Sequence, residues 1–273
     1  MPPDSSLVRP GPVEEPLPGG DVTPGVVRVG ATVRRPTGPH SPAVHALLRH
    51  FEHAGFIGAP RFLGTDELGR EILSYVEGNV PHRPYPAGIT DPEVLAGLAR
   101  LLRASHDAAT GFATPPGAAF DVLDAAGPDD EPELVAHADV TPENVVFRDG
   151  LPYALIDWDM ARPTTRLFDV VTTLRFWGPI SAPQDRDPAF AGVDVGARMR
   201  LFADAYGLGP DQRERLLDLA ALRLERSYVA MQARALTRGG GWARMWAEGV
   251  GGKLRRAAGW LEEERPVLEK ALR

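Results

Sequence analysis

The sequence predicts an α+β chain of two lobes: a small antiparallel β lobe with one helix, then a larger, mainly helical lobe. Three observations predict it. Short β-branched runs cut by Gly and Pro fill residues 20–76. A Pro/Gly-rich connection, "EGNVPHRPYPAG", spans 77–88. Beyond it, apolar residues recur at helical spacing around a single hairpin signal. The expected divisions are an N-lobe at 1–76, irregular over 1–18, a hinge at 77–88 and a C-lobe at 89–273.

Each element has its own warrant. Gly19-Gly20, Thr23-Pro24-Gly25 and Gly30 punctuate two strands expected at 26–29 and 31–35. Ser41 is a good N-cap for a helix with Pro42 at its first position; Val44, Leu47, Leu48 and Phe51 form its apolar stripe, and Gly55 can stop it. "RFLGTDELGREILSYV" reads as two further strands around a Gly-containing turn. In the C-lobe, Val94, Leu95, Leu98, Leu101 and Leu102 share one side of a helix over 91–108. A polar excursion, "GFATPPGAAFDVLDAAGPDDEPE", follows it. Strands at 145–147 and 153–156 flank Asp149-Gly150, a strong hairpin turn. Helices are expected over 166–177, 195–206, 211–236 and from 242 onward, the last two separated by Gly239-Gly240-Gly241.

Composition narrows the function classes. The 273 residues carry a net charge of −7, which gives no support to nucleic-acid binding. With no cysteine, disulfides and thiolate metal sites are excluded. No apolar run approaches the roughly 20 residues that cross a bilayer, and the N-terminus lacks a signal-like apolar core, so a cytoplasmic location without membrane contact is expected. The only lysines are Lys253 and Lys270, so any cation needed in the first two thirds must be Arg or His.

The chemistry concentrates in "VAHADVTPENVVFRDGLPYALIDWD", residues 135–159. His137, Asp139 and Asn144 stand as H-x-D-x(4)-N, and Asp157 ends a strand thirteen residues after Asn144. A hairpin between them brings Asn144 and Asp157 to the same end of two strands. Both offer hard oxygen atoms, which suit Mg²⁺. Asp139 lies on the preceding loop, free to face another ligand. Two oxygen ligands for a metal that bridges ATP phosphates, plus one carboxylate for the attacking hydroxyl, make up the apparatus of phosphoryl transfer.

These residues resemble the signature of the aminoglycoside phosphotransferase family, H-G-D-x(4)-N followed by I-D-(W/F), within the protein-kinase-like superfamily. The resemblance covers most of the chain. It implies a two-lobed kinase-like fold and an ATP- and Mg²⁺-dependent phosphotransferase, with GTP not excluded. The acceptor it implies is the hydroxyl of a small molecule, an aminoglycoside-like antibiotic or another hydroxylated metabolite. It implies Asp139 as the catalytic base, Asn144 and Asp157 as Mg²⁺ ligands, and His137 as a brace of the loop. Asp169 in "RLFDVV" becomes a buried support of that loop, and Ser74, Tyr75 and Val76 in "SYVEG" the hinge that meets the adenine.

The chain departs from this pattern in places. The family's phosphate-holding Lys is missing; "TVRRP" offers Arg34 or Arg35, and register against the Pro selects Arg34. His45 stands where a helical Glu is implied, and Ala138 replaces a Gly. These changes motivate an alternative reading as a catalytically impaired nucleotide-binding or regulatory module. Asp159 is expected to be a solvated strand-end acid, Trp158 core beneath the metal site, and His106-Asp107 a pin at a helix end. Residues 195–273 hold fifteen basic and ten acidic side chains, so the charge pattern does not favour a polycationic acceptor. Trp242, Trp246 and Trp260 read as core packing.

Overall fold

Pleated alternation and tight turns build the first third. The computed structural model describes residues 13–17, 25–121 and 130–273. The Gly19-Gly20 turn and the irregular stretch expected over 1–18 fall largely outside them. Strands β1 (Glu15–Pro16), β2 (Val27–Val29), β3 (Thr32–Arg35), β4 (Phe62–Thr65) and β5 (Glu71–Ser74) form one antiparallel sheet in the order β1-β2-β3-β5-β4. Gly30, at φ 60°, turns β2 into β3 in a left-handed conformation that costs a glycine little. Helix α1 (Ser41–His53) packs with this sheet and buries Val44, Leu47, Leu48 and Phe51 in the core that includes Leu73. Ser41 is its first residue rather than its cap, and the Ser41 hydroxyl accepts from the Gly38 N–H at 2.8 Å.

The chain leaves β5 through a segment stitched to the second lobe. Asn79 and Phe147 exchange two backbone hydrogen bonds, at 2.9 and 2.7 Å. Arg148 Nε donates to the Glu77 carbonyl at 2.7 Å. Gly78 sits at φ 145°, and a Cβ there would lie 2.5 Å from the Phe147 carbonyl oxygen, so only glycine lets the two backbones approach.

Helix α2 (Pro92–Ala108) begins the larger lobe and buries the apolar side expected of it, with Leu101 only half-buried at its edge. Strands β7 (Val145–Arg148) and β8 (Leu151–Leu155) form the predicted hairpin. Its turn, Asp149-Gly150, has both residues at positive φ, 51° and 79°, as a primed turn requires. Strands β6 (Leu134–Ala136) and β9 (Arg162–Thr164) add a second antiparallel pair that the sequence did not announce; Ala136 lies opposite Arg162. Helices α3 (Arg166–Trp177) and α4 (Val195–Tyr206) match their expected bounds. The expected helix over 211–236 divides at Arg215 into α5 (Pro210–Glu214) and α6 (Leu216–Arg238). Helices α7 (Gly240–Ala247) and α8 (Val250–Leu272) finish the fold, α8 packing on α4 and α6.

Of the three C-terminal tryptophans, Trp260 packs against the core, and Trp242 and Trp246 stand outside it. Each is half-buried, and two lie under guanidiniums: Trp242 below Arg234 at 4.5 Å and Trp260 below Arg186 at 4.9 Å. Among the described residues, no helix is long and apolar enough to cross a membrane.

Candidate active site

Strand β6 ends at Ala136 and delivers His137, after which the chain reverses at Ala138. Ala138 adopts φ 61°, the left-handed region that disfavours a Cβ. Asp169, in the first turn of α3, holds this reversal: its Oδ1 accepts from the Ala138 N–H at 2.9 Å. Its Oδ2 accepts from His106 Nε2 at 3.0 Å, and His106 Nδ1 lies 2.7 Å from the Tyr206 hydroxyl. Burial alone would raise the Asp169 carboxyl, but the bonds from His106 and Ala138 outweigh it and hold the group below the usual carboxylate range. His106 therefore does more than end its helix; it ties α2 to the loop through Asp169.

His137 braces the same loop from the other side. Its Nε2 donates to the Ile156 carbonyl at 2.9 Å, and its ring rests on Trp158 at 4.5 Å. Trp158 is buried, as expected, and donates to the Leu155 carbonyl at 3.0 Å. The Ile156 N–H donates to the Asn144 carbonyl at 2.9 Å, which locks the loop before β7 to the end of β8.

Asn144 Nδ2 donates to the Asp139 carbonyl at 2.8 Å and to Asp139 Oδ2 at 3.1 Å. Both acceptors are oxygens, so the amide nitrogen must face them and the amide oxygen faces the other way. Asp157 follows β8 at φ 62°, ψ 68°, with its side chain 41% exposed. Asp139 is half-buried. Burial pushes its carboxyl above the usual range, His137 opposing and the charge of Asp157 adding to the rise. The hairpin thus places Asn144 and Asp157 together with Asp139 behind them. Magnesium fits this donor set: one amide oxygen and one carboxylate, with phosphate oxygens to complete the shell. Among the described residues no group of three His, Cys, Asp or Glu converges as a dedicated metal cage.

The arginine that faces the site is Arg35, the neighbour of the Arg34 expected. Arg34 points along the sheet, donating to Thr32 Oγ1 at 2.6 Å and standing 3.9 Å from Asp66. Arg35 faces the site. Its Nε lies 3.1 Å from Glu71 Oε1, its Nη1 donates to Asp157 Oδ1 at 3.1 Å, and its Nη2 bonds Asp159 Oδ2. A one-residue difference along a strand exchanges the two faces, and the Pro gave no handle on which face was inside. Burial would lower the Arg35 guanidinium, but the three carboxylates around it more than compensate and raise it. Asp159 is correspondingly an ion-pair partner and not a solvated acid; it also meets His40 at 3.5 Å.

Glu71 supplies the carboxylate that the resemblance assigns to the helix. It lies on β5 directly opposite Arg35, and His45 Nε2 of α1 is 2.5 Å from its second oxygen. His45 is buried and stacked on Phe62 at 3.7 Å. Charge pairing therefore runs across the sheet, with the histidine holding the acid in place. The only sequence sign was an acid at the start of an otherwise apolar strand.

The hinge residues divide. The Ser74 N–H donates to the Arg61 carbonyl and the Tyr75 N–H to the Ala31 carbonyl, each at 2.9 Å. Both amides are engaged by the protein itself, so a base at these two residues would meet their carbonyls. Arg28 covers the Tyr75 ring at 3.8 Å. Tyr75 and Val76 lie beyond the end of β5.

The comparisons with known proteins agree with this geometry. The profile of the phosphotransferase enzyme family matches residues 117–202, which contain the whole loop, the hairpin and Asp169. The chain is 32% identical over 268 residues to the trifolitoxin immunity protein of Rhizobium leguminosarum bv. trifolii, covering 93% of this chain and 96% of that one. The chain belongs to the phosphotransferase enzyme family. Its fold is also that of a choline/ethanolamine kinase family protein from Mesorhizobium loti, at TM-score 0.60 and 16% identity, with 95% of this chain and 91% of that chain covered. A GDP complex of aminoglycoside 2'-phosphotransferase-IIIa superposes at TM-score 0.59 and 14% identity, over 90% of this chain and 92% of that chain. As a member of its family, this phosphotransferase has an alcohol group as acceptor.

Proposed function

We propose that this phosphotransferase uses ATP and Mg²⁺ to phosphorylate a hydroxyl of a small molecule in the cytoplasm, with residues 77–88 joining the two lobes. The observation that supports this most is the shared geometry of Asp139, Asn144 and Asp157. Bound magnesium would neutralise phosphate charge, held by Asn144 Oδ1 and the Asp157 carboxylate. Arg35 lies beside Asp157 and steadies the phosphates on the N-lobe side, and backbone groups of Ser74, Tyr75 and Val76 meet the base, Ser74 and Tyr75 through their carbonyls. The acceptor oxygen forms a bond to the γ-phosphorus while the bond from that phosphorus to the β,γ-bridging oxygen breaks. The acceptor's proton passes to Asp139 and then to water, leaving a phosphomonoester and ADP. His137 and Asp169 hold Asp139 in place throughout, so catalysis is mostly positioning and charge neutralisation.

Asp139→Asn tests this reading. Coupled ADP release over a panel of hydroxylated compounds should fall by about 10²- to 10⁴-fold, the usual worth of a general base. A thermal-shift response to ATP and Mg²⁺ should be retained. Parental turnover in the variant would remove Asp139 from the role. Nucleotide binding by the wild type with no ADP release on any acceptor would turn the reading towards a binding module. The occupation of Asp157 and Asp159 by Arg35 is the observation that favours that outcome.

A further inference from the structure

Four arginines surround the catalytic loop, and among the described residues none of them has a carboxylate partner. Arg162 comes from β9, directly opposite Ala136 and so beside the start of the loop. Arg175 comes from α3, and Arg223 and Arg234 from α6. Arg162 and Arg234 are 2% and 3% exposed, yet Arg162 Nε and both Nε and Nη2 of Arg234 are sealed from water with no hydrogen-bond partner. Among the described residues, Arg234 has the face of Trp242 against it and the charge of Asp121 within reach. Arg223 bonds hydroxyls alone, Thr172 Oγ1 at 2.9 Å and Ser227 Oγ. All four lie within electrostatic reach of Asp139; Arg223 also feels Arg162 and Arg175, and Arg234 feels Arg162.

The acids nearby do not neutralise this cluster. Asp169 is engaged by His106 and Ala138. Asp121 forms a two-pronged pair with Arg238, at 2.5 Å on each side. Asp139 is one carboxylate against four guanidiniums. The basic character continues into a cavity of about 200 Å³ that begins at Pro142 and Arg175. Its two aspartates are paired, Asp185 with Arg256 at 2.7 Å and Asp187 with Arg83 at 3.1 Å, while Lys253 stands near Asp185, and Arg175 and Arg186 line the wall as well. Buried cations without partners are rare because desolvation disfavours them, and a planar guanidinium fork matches a carboxylate or phosphate in two-point fashion.

We propose that Arg162, Arg175, Arg223 and Arg234 bind an anionic group, a carboxylate or phosphate, on the acceptor whose hydroxyl meets Asp139. This rests on the phosphotransferase reading and narrows its substrate class to hydroxylated acids or phosphate esters, away from polycations. The transfer itself is the one balanced above; the arginines hold the acceptor and take no proton.

The test is titration calorimetry on the full chain loaded with Mg²⁺ and a non-hydrolysable ATP analogue, which fills the γ-phosphate position. Inorganic phosphate and succinate are the probes, and kanamycin is the cationic control. One or both anions should bind wild type, and whichever binds names the anionic group. Arg162→Gln and Arg234→Gln should each weaken that binding at least tenfold, while the nucleotide analogue binds all three proteins alike. Arg175→Met, at a half-buried position, should show the same loss without risk to the core. Anion binding that vanishes once the analogue is loaded would assign the arginines to the nucleotide's own phosphate and overturn the proposal. So would equal binding in all variants, no binding of either anion, or tighter binding of kanamycin. Failure of the analogue to bind at all would instead count against the phosphotransferase reading.

Discussion

Two sets of buried arginine face the same loop from opposite lobes, and they are treated in opposite ways. Arg35 is ringed by Glu71, Asp157 and Asp159, and its guanidinium is held above the ordinary value. Arg162, Arg175, Arg223 and Arg234 lack such a ring; desolvation lowers all four, Arg234 to about 10 and Arg223 well below its ordinary value. The side chain is the same and Arg35, Arg162 and Arg234 are alike in depth, but the partners differ. A charge the chain pairs for itself is part of the scaffold. A charge it leaves unpaired raises the free energy of the empty fold and waits for a partner from outside. The N-lobe cation is thus preorganised by protein carboxylates, which nucleotide and metal would partly displace under the proposed function, whereas the C-lobe cations are preorganised for the proposed ligand.

The same truncation on the two sides should have opposite signs. Arg35→Met strands Glu71, Asp157 and Asp159 around an apolar tip and should destabilise the chain by about 3–5 kcal/mol in urea unfolding. Arg234→Met removes a buried charge that has an aromatic face beside it, and should leave the unliganded chain unchanged or more stable, by about 1 kcal/mol. A loss of stability at Arg234 as large as at Arg35 would erase the distinction. Glu71→Gln sharpens it at one atom: it weakens the pair while keeping the shape, and should lower stability by about 1–3 kcal/mol.

The loop between the two sets supplies smaller effects. Asp169 has a depressed carboxyl, so its stabilising contribution is complete at pH values above the ordinary aspartate value of about 4 and is lost as the pH falls below it, through the lower folded value. Asp169→Asn should be less stable than wild type at neutral pH, and the two curves should converge in acid when unfolding is followed by circular dichroism. Ala138→Gly should be the mildest change. It relieves a left-handed Cβ, and the added freedom of the unfolded chain offsets part of the gain, so stability should rise by less than about 1 kcal/mol.

Much of the fold was legible because local signals agreed with it. Helix α3 starts where the Thr165 hydroxyl accepts from the Phe168 N–H, and α4 starts at Asp194, which accepts from the Ala197 N–H. Gly207 ends α4 at φ 87°. The β6–β9 pair was not legible, because three residues are too few to establish an alternation and β6 is buried throughout. The loop residues were placed by the H-x-D-x(4)-N spacing together with the family resemblance, and Asn144 meets Asp139 while Asp169 meets Ala138. What escaped was every pairing set by strand register or by helices far apart in sequence. The exchange of Arg34 for Arg35, the partnership of Arg35 with Glu71, and the meeting of β9, α3 and α6 around Asp139 all belong to that class. None has a local signature, since each depends on which face of a strand or helix turns inward after the lobe has closed.

The guanidinium in β3 also decides which reagents could report on nucleotide bound in the proposed cleft. Acylating analogues of ATP deliver their label to an amine beside the phosphates, and Arg35 offers none; it stays protonated and non-nucleophilic at any workable pH. Such reagents should pass this protein by, or mark only Lys253 and Lys270 on the last helix. Vicinal dicarbonyls, which condense with guanidines, are the appropriate chemistry, and nucleotide should shield Arg35 from them.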